Sequence, residues 1–589
     1  MNLASRITAM PNFIRLYNKP YYWLINETHQ KLVQTHFVGK EELLAEESGK
    51  SPLKDNNART IFTYCLKGQS ELFVKRYKID SFLRRLRHLV DSKAVNELKI
   101  SNYLVTKGRL TGYPIAVVQK KHRFLPVDAF LIMKKLPDMP TMGGYLAQPL
   151  DRDTINEILQ LSGELVRDLH DVKLFHRDLH AGNILIKSDS EPKELYIIDL
   201  HRASILPGVS RSQRVFNLAQ FAYSLWGLVP FTNIVRLIKA YRPLDQRRNK
   251  FKSLVRDVYD TLLTIRHKHW QARTKRCFRS SSRHMTVKDG AKTHYLNRSF
   301  SGLAEPIISM LSNDNLIGTV LKETARHKLI RTQPTGGASY TNTFYIKEYR
   351  HNTLMSKIKS LFGYWPARNN WLAANGLAVR GIPTAQAVAL MVRKEPFWDW
   401  VTTAKVMTAE INGTPSNQYV MDTFASPYAT IHNKAPKNAE DPIAPQEKNF
   451  AHFAAKKEFI RDFALAIRRL HHKGVFHCDL KTNNVLVKEI SGLTNSTQQN
   501  PLNPRFPNWE FYFIDLDRVK FRRVVPWRER IKNLAQLNAA MPAVMTRSDR
   551  LRFFRYYACG ELAIKTNKER RILAEVMRIT ITRHHIWPR

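Results

Sequence analysis

Two segments of the chain, 301 positions apart, carry the same residue types at the same spacing. That repeat constrains the fold more than any other feature. The first reads Leu169-His170 and then, six residues on, His176-Arg177-Asp178-Leu179-His180-Ala181-Gly182-Asn183-Ile184-Leu185-Ile186. The second reads Leu470-His471 and then His477-Cys478-Asp479-Leu480-Lys481-Thr482-Asn483-Asn484-Val485-Leu486-Val487. An apolar stretch ending in aspartate follows each, Leu195-Tyr196-Ile197-Ile198-Asp199 and Phe511-Tyr512-Phe513-Ile514-Asp515, and Asn217-Leu218-Ala219-Gln220 is echoed by Asn533-Leu534-Ala535-Gln536. Four landmarks in one order imply tandem duplication of a unit of about 270–300 residues. At 589 residues the chain has room for two units of two lobes each.

Upstream of each landmark set lies a lysine in a strand-like stretch, Glu71 to Tyr77 with Lys75 and Thr343 to Tyr349 with Lys347. Helical patterns follow, Ala94 to Thr106 before Gly108 and Ala367 to Val379 before Gly381, each with a glycine placed to end a helix. Ala129 to Met133 and Gln418 to Met421 read as further strands. An amphipathic helix opens at Asp153-Thr154 and presents Ile158, Leu165, Val166 and Leu169 on one face; its counterpart spans about Lys457 to His471. The expected fold class is α+β: two tandem units, residues 1–268 and 269–589, each with a β-rich N-lobe and a helical C-lobe. The basic stretch Arg266 to Arg283 reads as the junction, with Cys277-Phe278 opening the next strand. Asn433 to Asn449 and Ser491 to Asn508 read as surface loops.

A strand lysine, a helix acid, an Asp followed five residues later by Asn, and a strand-end Asp form a phosphoryl-transfer set. The ammonium holds phosphates of ATP, the amide and carboxylate oxygens suit Mg²⁺, and the first Asp orients a hydroxyl and accepts its proton. With 94 Lys+Arg against 50 Asp+Glu the net charge is +44, which predicts attraction to polyanions. Four cysteines without a CxxC pair exclude a disulfide framework and read as isolated buried or half-buried thiols. Without an apolar leader or an 18-residue apolar run, the expectation is a cytoplasmic protein.

The segments FHRDLHAGNILI…YIIDLHRA and FHCDLKTNNVLV…FFIDLDRV resemble the protein-kinase-like superfamily, and within it the lipopolysaccharide core (heptose/Kdo) kinase family. Arg380-Gly381-Ile382-Pro383-Thr384, Ser548 to Tyr557 and Lys275 to Phe278 share that resemblance. It implies Asp178 and Asp479 as catalytic residues, Lys75 and Lys347 as ATP-binding lysines, and Glu97 as the ion-pair partner of Lys75. It also implies Asn183, Asp199, Asn484 and Asp515 as metal ligands. Asn370 stands where the second unit's acid should be, so Lys347 is expected to lack a fixed partner; Lys481 could add charge near the transferring phosphate, as His180 does only when protonated. No GxGxxG precedes either lysine, and Thr335 to Ser339, the one glycine-rich candidate for the nucleotide cover, reads equally as a plain hairpin turn.

The resemblance thus implies two tandem protein-kinase-like units forming an ATP- and Mg²⁺-dependent kinase that acts on hydroxyls of lipopolysaccharide inner-core sugars or another acidic glycolipid, in peripheral contact with an anionic membrane at the inner face of the inner membrane. Two alternatives are a protein serine/threonine kinase and a kinase-fold polyanion-binding scaffold with one or both units inactive. No Ala-Pro-Glu follows Asp199 or Asp515, which argues against the first; retention of Lys, Asp, Asn and Asp in both copies argues against the second. Nucleic acid is not expected as a partner, since no zinc finger, base-stacking aromatic motif or basic tail occurs. His170, His176 and His180 read as structural residues of the motif, not as zinc ligands.

Overall fold

The computed structural model describes residues 12–45, 53–56, 59–65, 71–82, 85–86, 88, 92–242, 248–333, 343–425, 445–490, 509–558 and 567–582. Thr335 to Ser339 and the Ser491 to Asn508 stretch lie outside them, as does most of Asn433 to Asn449. The chain divides into two compact units, Met1–Ile265 and Arg266–Arg589.

The N-lobe of the first unit is a seven-stranded antiparallel sheet. Its strands are β1 (Phe13–Asn18), β2 (Tyr21–Asn26), β3 (Lys54–Asn56), β4 (Arg59–Cys65), β5 (Glu71–Lys78), β6 (Pro114–His122) and β7 (Leu125–Lys134). They lie in the order β1-β2-β6-β7-β5-β4-β3. The second unit repeats this order with β8 (His284–Asp289), β9 (Lys292–Asn297), β10 (Thr319–Glu323), β11 (His327–Thr332), β12 (Phe344–Arg350), β13 (Ala387–Lys394) and β14 (Val401–Ala409), arranged β8-β9-β13-β14-β12-β11-β10. Lys75 and Lys347 therefore occupy the same inner strand of the two sheets, β5 between β4 and β7, and β12 between β11 and β14. Alternation sends Val74 of β5 to one face, among Trp23, Ile25 and Phe130, and sends Lys75 and Tyr77 to the other.

On that other face lies helix α1 (Lys93–Thr106), which buries Ala94 and Leu98 against Tyr77, Val117 and Leu131. It ends at Gly108, whose φ of 66° is left-handed backbone that glycine adopts without steric cost. The first C-lobe comprises α2 (Arg152–Asp171), α3 (Arg211–Ser224), α4 (Phe231–Tyr241) and the part of α5 (Arg248–Lys275) up to Ile265. Asp151, not Asp153, caps α2, accepting from the backbone N–H groups of Asp153 and Thr154. The second unit has α6 (Leu354–Leu361), α7 (Pro366–Val379), α8 (Ser416–Phe424), α9 (Pro445–His472), α10 (Trp527–Ala540), α11 (Arg547–Ala558) and α12 (Asn567–Ile581). Each unit is therefore a kinase-like pair, a sheet-rich N-lobe and a helical C-lobe.

Three local expectations need correction. Gln418 to Met421 is not a strand: it lies in α8, which buries Ser416, Tyr419, Val420 and Phe424 at helical spacing. The basic stretch from Arg266 begins inside helix α5, and Cys277-Phe278 forms a 3₁₀ turn (Arg276–Phe278) whose Cys277 is buried, so the next strand starts only at His284. Cys65 is exposed, donating from Sγ to Glu71.

Between the lobes, Thr111 Oγ1 donates to the Ile197 carbonyl at 2.7 Å, and Thr384 Oγ1 does the same to Phe513 at 2.6 Å. In the first C-lobe, α2 crosses α4 at Gly163, where a methyl group would lie 2.8 Å from the Ala240 Cβ and 2.9 Å from the Tyr241 nitrogen. Gly163→Ala is expected to destabilise the chain by about 1–3 kcal/mol. Gly208→Ala, at a position open to solvent, should not. Urea unfolding followed by circular dichroism checks this; equal midpoints for the two variants would contradict the packing.

Candidate active site

The strand lysines are clamped, and the two units do it differently. In the first, Lys75 and Glu97 are both buried, and the ammonium donates to Glu97 Oε1 at 2.5 Å. Tyr77, two residues along the same strand face, donates to the other oxygen of Glu97 at 2.5 Å. Burial, then the Glu97 charge, pushes the Tyr77 hydroxyl well above the usual phenol range, so it stays a donor.

In the second unit Asn370 occupies the helix position, yet Lys347 does not lack a carboxylate. Asp517 supplies it from the turn after Asp515: Lys347 donates to Asp517 Oδ2 at 2.7 Å and to Asp515 Oδ1 at 3.1 Å. Tyr349, the counterpart of Tyr77, donates to Asp517 Oδ1 at 2.6 Å, and Asn370 adds its amide N–H at 2.8 Å. The expected missing partner is thus corrected, because the acid has moved from the helix to the turn. Where the second unit has Asn370 and Asp517, the first has Glu97 and His201, so one carboxylate reaches the lysine–tyrosine pair in each. Burial alone would lower the Lys347 ammonium, but Asp517 and Asp515 outweigh it and raise it above the ordinary lysine value.

The strand-end aspartates share an unusual backbone. Asp199 has φ 62° and Asp515 φ 55°, left-handed conformations that cost a non-glycine residue energy and recur at functional sites. Asp199 receives the guanidinium of Arg59 on both oxygens, at 2.8 and 3.2 Å, and pairs with His201 Nδ1 at 2.7 Å. Lys75 stands 3.9 Å away. Burial would raise this carboxyl, yet His201, Lys75 and Arg59 together hold it well below the usual carboxylate range.

The aspartates of the first landmark stand on loops held by the same network in both units. Asn217 of α3 accepts from His170 and donates to the His176 carbonyl, while Gln220 accepts from Leu179 N–H and donates to the Arg177 carbonyl. Asn533 and Gln536 of α10 repeat each contact with His471, His477, Leu480 and Cys478. His170 and His471 are completed by Tyr241 and Tyr557. Burial pushes His170 and His176 down to about 4, the behaviour of neutral structural histidines. His180 caps the turn Ala181–Asn183, and the cation beside Asp178 is Arg202 at 3.1 Å. Beside Asp479 it is Lys481, at 3.2 Å.

Asn183 commits its amide N–H to the Asp178 carbonyl (3.0 Å), and Asn484 does likewise to Asp479 (2.8 Å). Each Asn carbonyl oxygen is left as an acceptor, so with Asp199 or Asp515 the donor set is the hard oxygen pair that suits Mg²⁺. Glu97, Asp199 and His201 also cluster closely, but the Lys75 ammonium bridges the two acids, which makes that group an ion-pair cluster. Arg59, Lys75, Glu97, Asn183 and Asp199 line one cavity of about 340 Å³; Lys347, Asn370, Asp515 and Asp517 line another of about 620 Å³ in the second unit. Asp178, Asp479, Lys481 and Asn484 do not line these cavities. Sequence reasoning missed Arg59, Arg202, Asp517 and both tyrosines; the repeated Lys-x-Tyr was the one signal for the tyrosines.

Two bilobal units of kinase-like architecture, each with a clamped strand lysine above an Asp/Asn loop, define a protein-kinase-like chain. The family described as "Lipopolysaccharide kinase (Kdo/WaaP) family" matches residues 54–241 and 442–557, more than half of the chain, and the chain belongs to that family. It is similar to 3-deoxy-D-manno-octulosonic acid kinase of Mannheimia succiniciproducens, 27% identical over 120 residues (20% of this chain, 49% of that one). The enzyme of the same name from Haemophilus influenzae strain 86-028NP is 26% identical over 127 residues (21% and 51%). The chain spans about half the length of these curated relatives. Among solved structures, WaaP in complex with acyl carrier protein is matched at 17% identity and a TM-score of 0.33, covering 42% of this chain and 97% of that one. A Stt7 homolog from Micromonas algae soaked with ATP is matched at 17% identity and a TM-score of 0.21, covering 27% and 50%.

Removing the Asp517 charge should release Lys347. In Asp517→Asn the ammonium loses the first of the charges that raise it, so acylation of Lys347 should begin at lower pH than in the parent, and Asn370→Glu added to that variant should move the profile back up. Peptide mapping after pulse acetylation across a pH series reads this. An unchanged Lys347 profile in Asp517→Asn would contradict the clamp.

Proposed function

We propose that the chain is an ATP-dependent phosphotransferase that phosphorylates hydroxyls of lipopolysaccharide inner-core sugars, with one site in each unit. The observation that carries this reading is the duplicate constellation. In each unit a lysine held by one carboxylate and an aspartate in left-handed backbone line one cavity, and an asparagine is fixed to the aspartate loop. The family to which the chain belongs supports the same chemistry.

In this reading Lys75 and Lys347 hold phosphates of ATP, kept in place by Glu97 and Asp517 with their tyrosines. Asn183 with Asp199, and Asn484 with Asp515, would hold Mg²⁺, which when bound neutralises charge on the phosphates. Asp178 and Asp479 accept the proton of the sugar hydroxyl as its oxygen bonds to the γ-phosphorus and the bond to the departing ADP breaks. Arg202 and Lys481, each beside one of these aspartates, place positive charge where the transferring phosphoryl group gathers negative charge. Phosphates and carboxylates of the acceptor glycolipid are attracted by a chain of net charge +44, which also favours work at an anionic membrane surface in the cytoplasm.

The test is transfer from γ-labelled ATP to purified inner-core glycolipid by the full chain. Asp178→Asn and Asp479→Asn should each remove one share of the activity, lowering turnover at their own site about 10²–10⁴-fold, and the double variant should be inactive. Activity unchanged in the double variant, or no transfer by the parent, would overturn the proposal. Complete loss from Asp178→Asn with none from Asp479→Asn would reduce the second unit to a docking platform.

A further inference from the structure

The N-lobe of the second unit leaves large apolar side chains in water where its fold gives them nothing to cover. Helix α6 exposes Leu354 (64%), Met355 (60%) and Ile358, and Phe362 follows at 74%. The turn between β13 and β14 exposes Phe397 (82%) and Trp398 (58%). Helix and turn form one surface. Ser360 of α6 accepts from the Val401 N–H at 2.9 Å, Lys357 stands 5.4 Å from the Trp400 ring, and Trp400 stacks on Trp398 at 5.5 Å. Phe397 meets Trp398 edge-on at 5.0 Å. A contiguous apolar patch of this kind on a folded surface marks an interaction site.

We infer that this patch inserts into the headgroup boundary of a membrane containing anionic lipid. Its chemistry selects that occupant. Residues 352–364 carry Lys357 and Lys359 and no acid; the turn carries Glu395 and Lys394, which holds Asp399 at 2.8 Å. Lysines among the exposed Leu, Met and Phe of the helix, beside the exposed Phe and Trp of the turn, are the composition of a surface that lies in the interface, with stems and rings in the acyl boundary and the helix ammonium groups at the phosphates. A helix of eight residues reaches only that boundary, and no helix among the described residues is long and apolar enough to cross a membrane. The first unit repeats the device: Phe124 is 86% exposed at its own β6–β7 turn, beside Lys120, Lys121 and Arg123, and Phe82 and Leu86 are exposed between β5 and α1. The inference deepens the proposed membrane-surface reading by naming the residues that make the contact.

The experiment is co-sedimentation of the full chain, without ATP, with vesicles of phosphatidylcholine alone or mixed with phosphatidylglycerol. The parent should bind the anionic vesicles at least tenfold more tightly than the neutral ones. Phe397→Ser/Trp398→Ser and Leu354→Ser/Phe362→Ser should each weaken that binding at least fivefold with an unchanged melting temperature, and Lys357→Glu/Lys359→Glu should weaken it too. Binding by both serine variants equal to the parent's, or no binding by the parent, would overturn the inference. So would a parent that is dimeric in free solution and becomes monomeric in the serine variants, since the patch would then cover a second copy. Because the measurement contains no ATP, its outcome stands apart from the kinase reading.

Discussion

Each cleft is organised around a strand lysine whose ammonium is largely withdrawn from water and held by a carboxylate. A tyrosine two residues further along the strand takes the second oxygen of the same carboxylate, so one acid fixes two side chains of the strand. What differs is the element that brings the acid. Glu97 comes from α1 and ties the helix to the sheet, whereas Asp517 comes from the turn after Asp515 and ties the sheet to the C-lobe loop. The requirement is local charge balance, and the fold meets it from either side of the cleft.

The loops below are held by side chains of α3 and α10, and Gln220 also reaches the Asp178 carboxylate at 3.4 Å. An asparagine and a glutamine one helical turn apart satisfy backbone groups on both sides of Asp178 and of Asp479, and a buried histidine and tyrosine complete each network. Buried polar groups satisfied this fully set a single loop geometry, because any other leaves several of them without partners. The left-handed Asp199 and Asp515 are then local costs carried by a rigid surround.

Much of this was legible in the sequence because the informative residues sit at fixed short spacings. The Asp-x4-Asn loop, the lysine strands, helices α1 and α7 with their terminal glycines, and the duplication itself were read from local pattern. The failures have physical reasons. Gln418 to Met421 has strand-like composition, but its buried positions follow a helical period that a four-residue window cannot display. Asp517 was invisible as the Lys347 partner because the two are 170 positions apart and only the closed fold brings them together. Arg59 and Arg202 were indistinguishable from the other cations of a very basic chain until the fold placed them on Asp199 and Asp178.

On the proposed function both units, and not only the one with the helix glutamate, form a Mg²⁺-dependent nucleotide site. Calorimetric titration of the full chain with a non-hydrolysable ATP analogue and Mg²⁺ tests it most directly. The account predicts two sites per chain, falling to one in Asp199→Ala or Asp515→Ala and to none in the double variant. A single site in the parent that Asp199→Ala abolishes and Asp515→Ala leaves intact would contradict it.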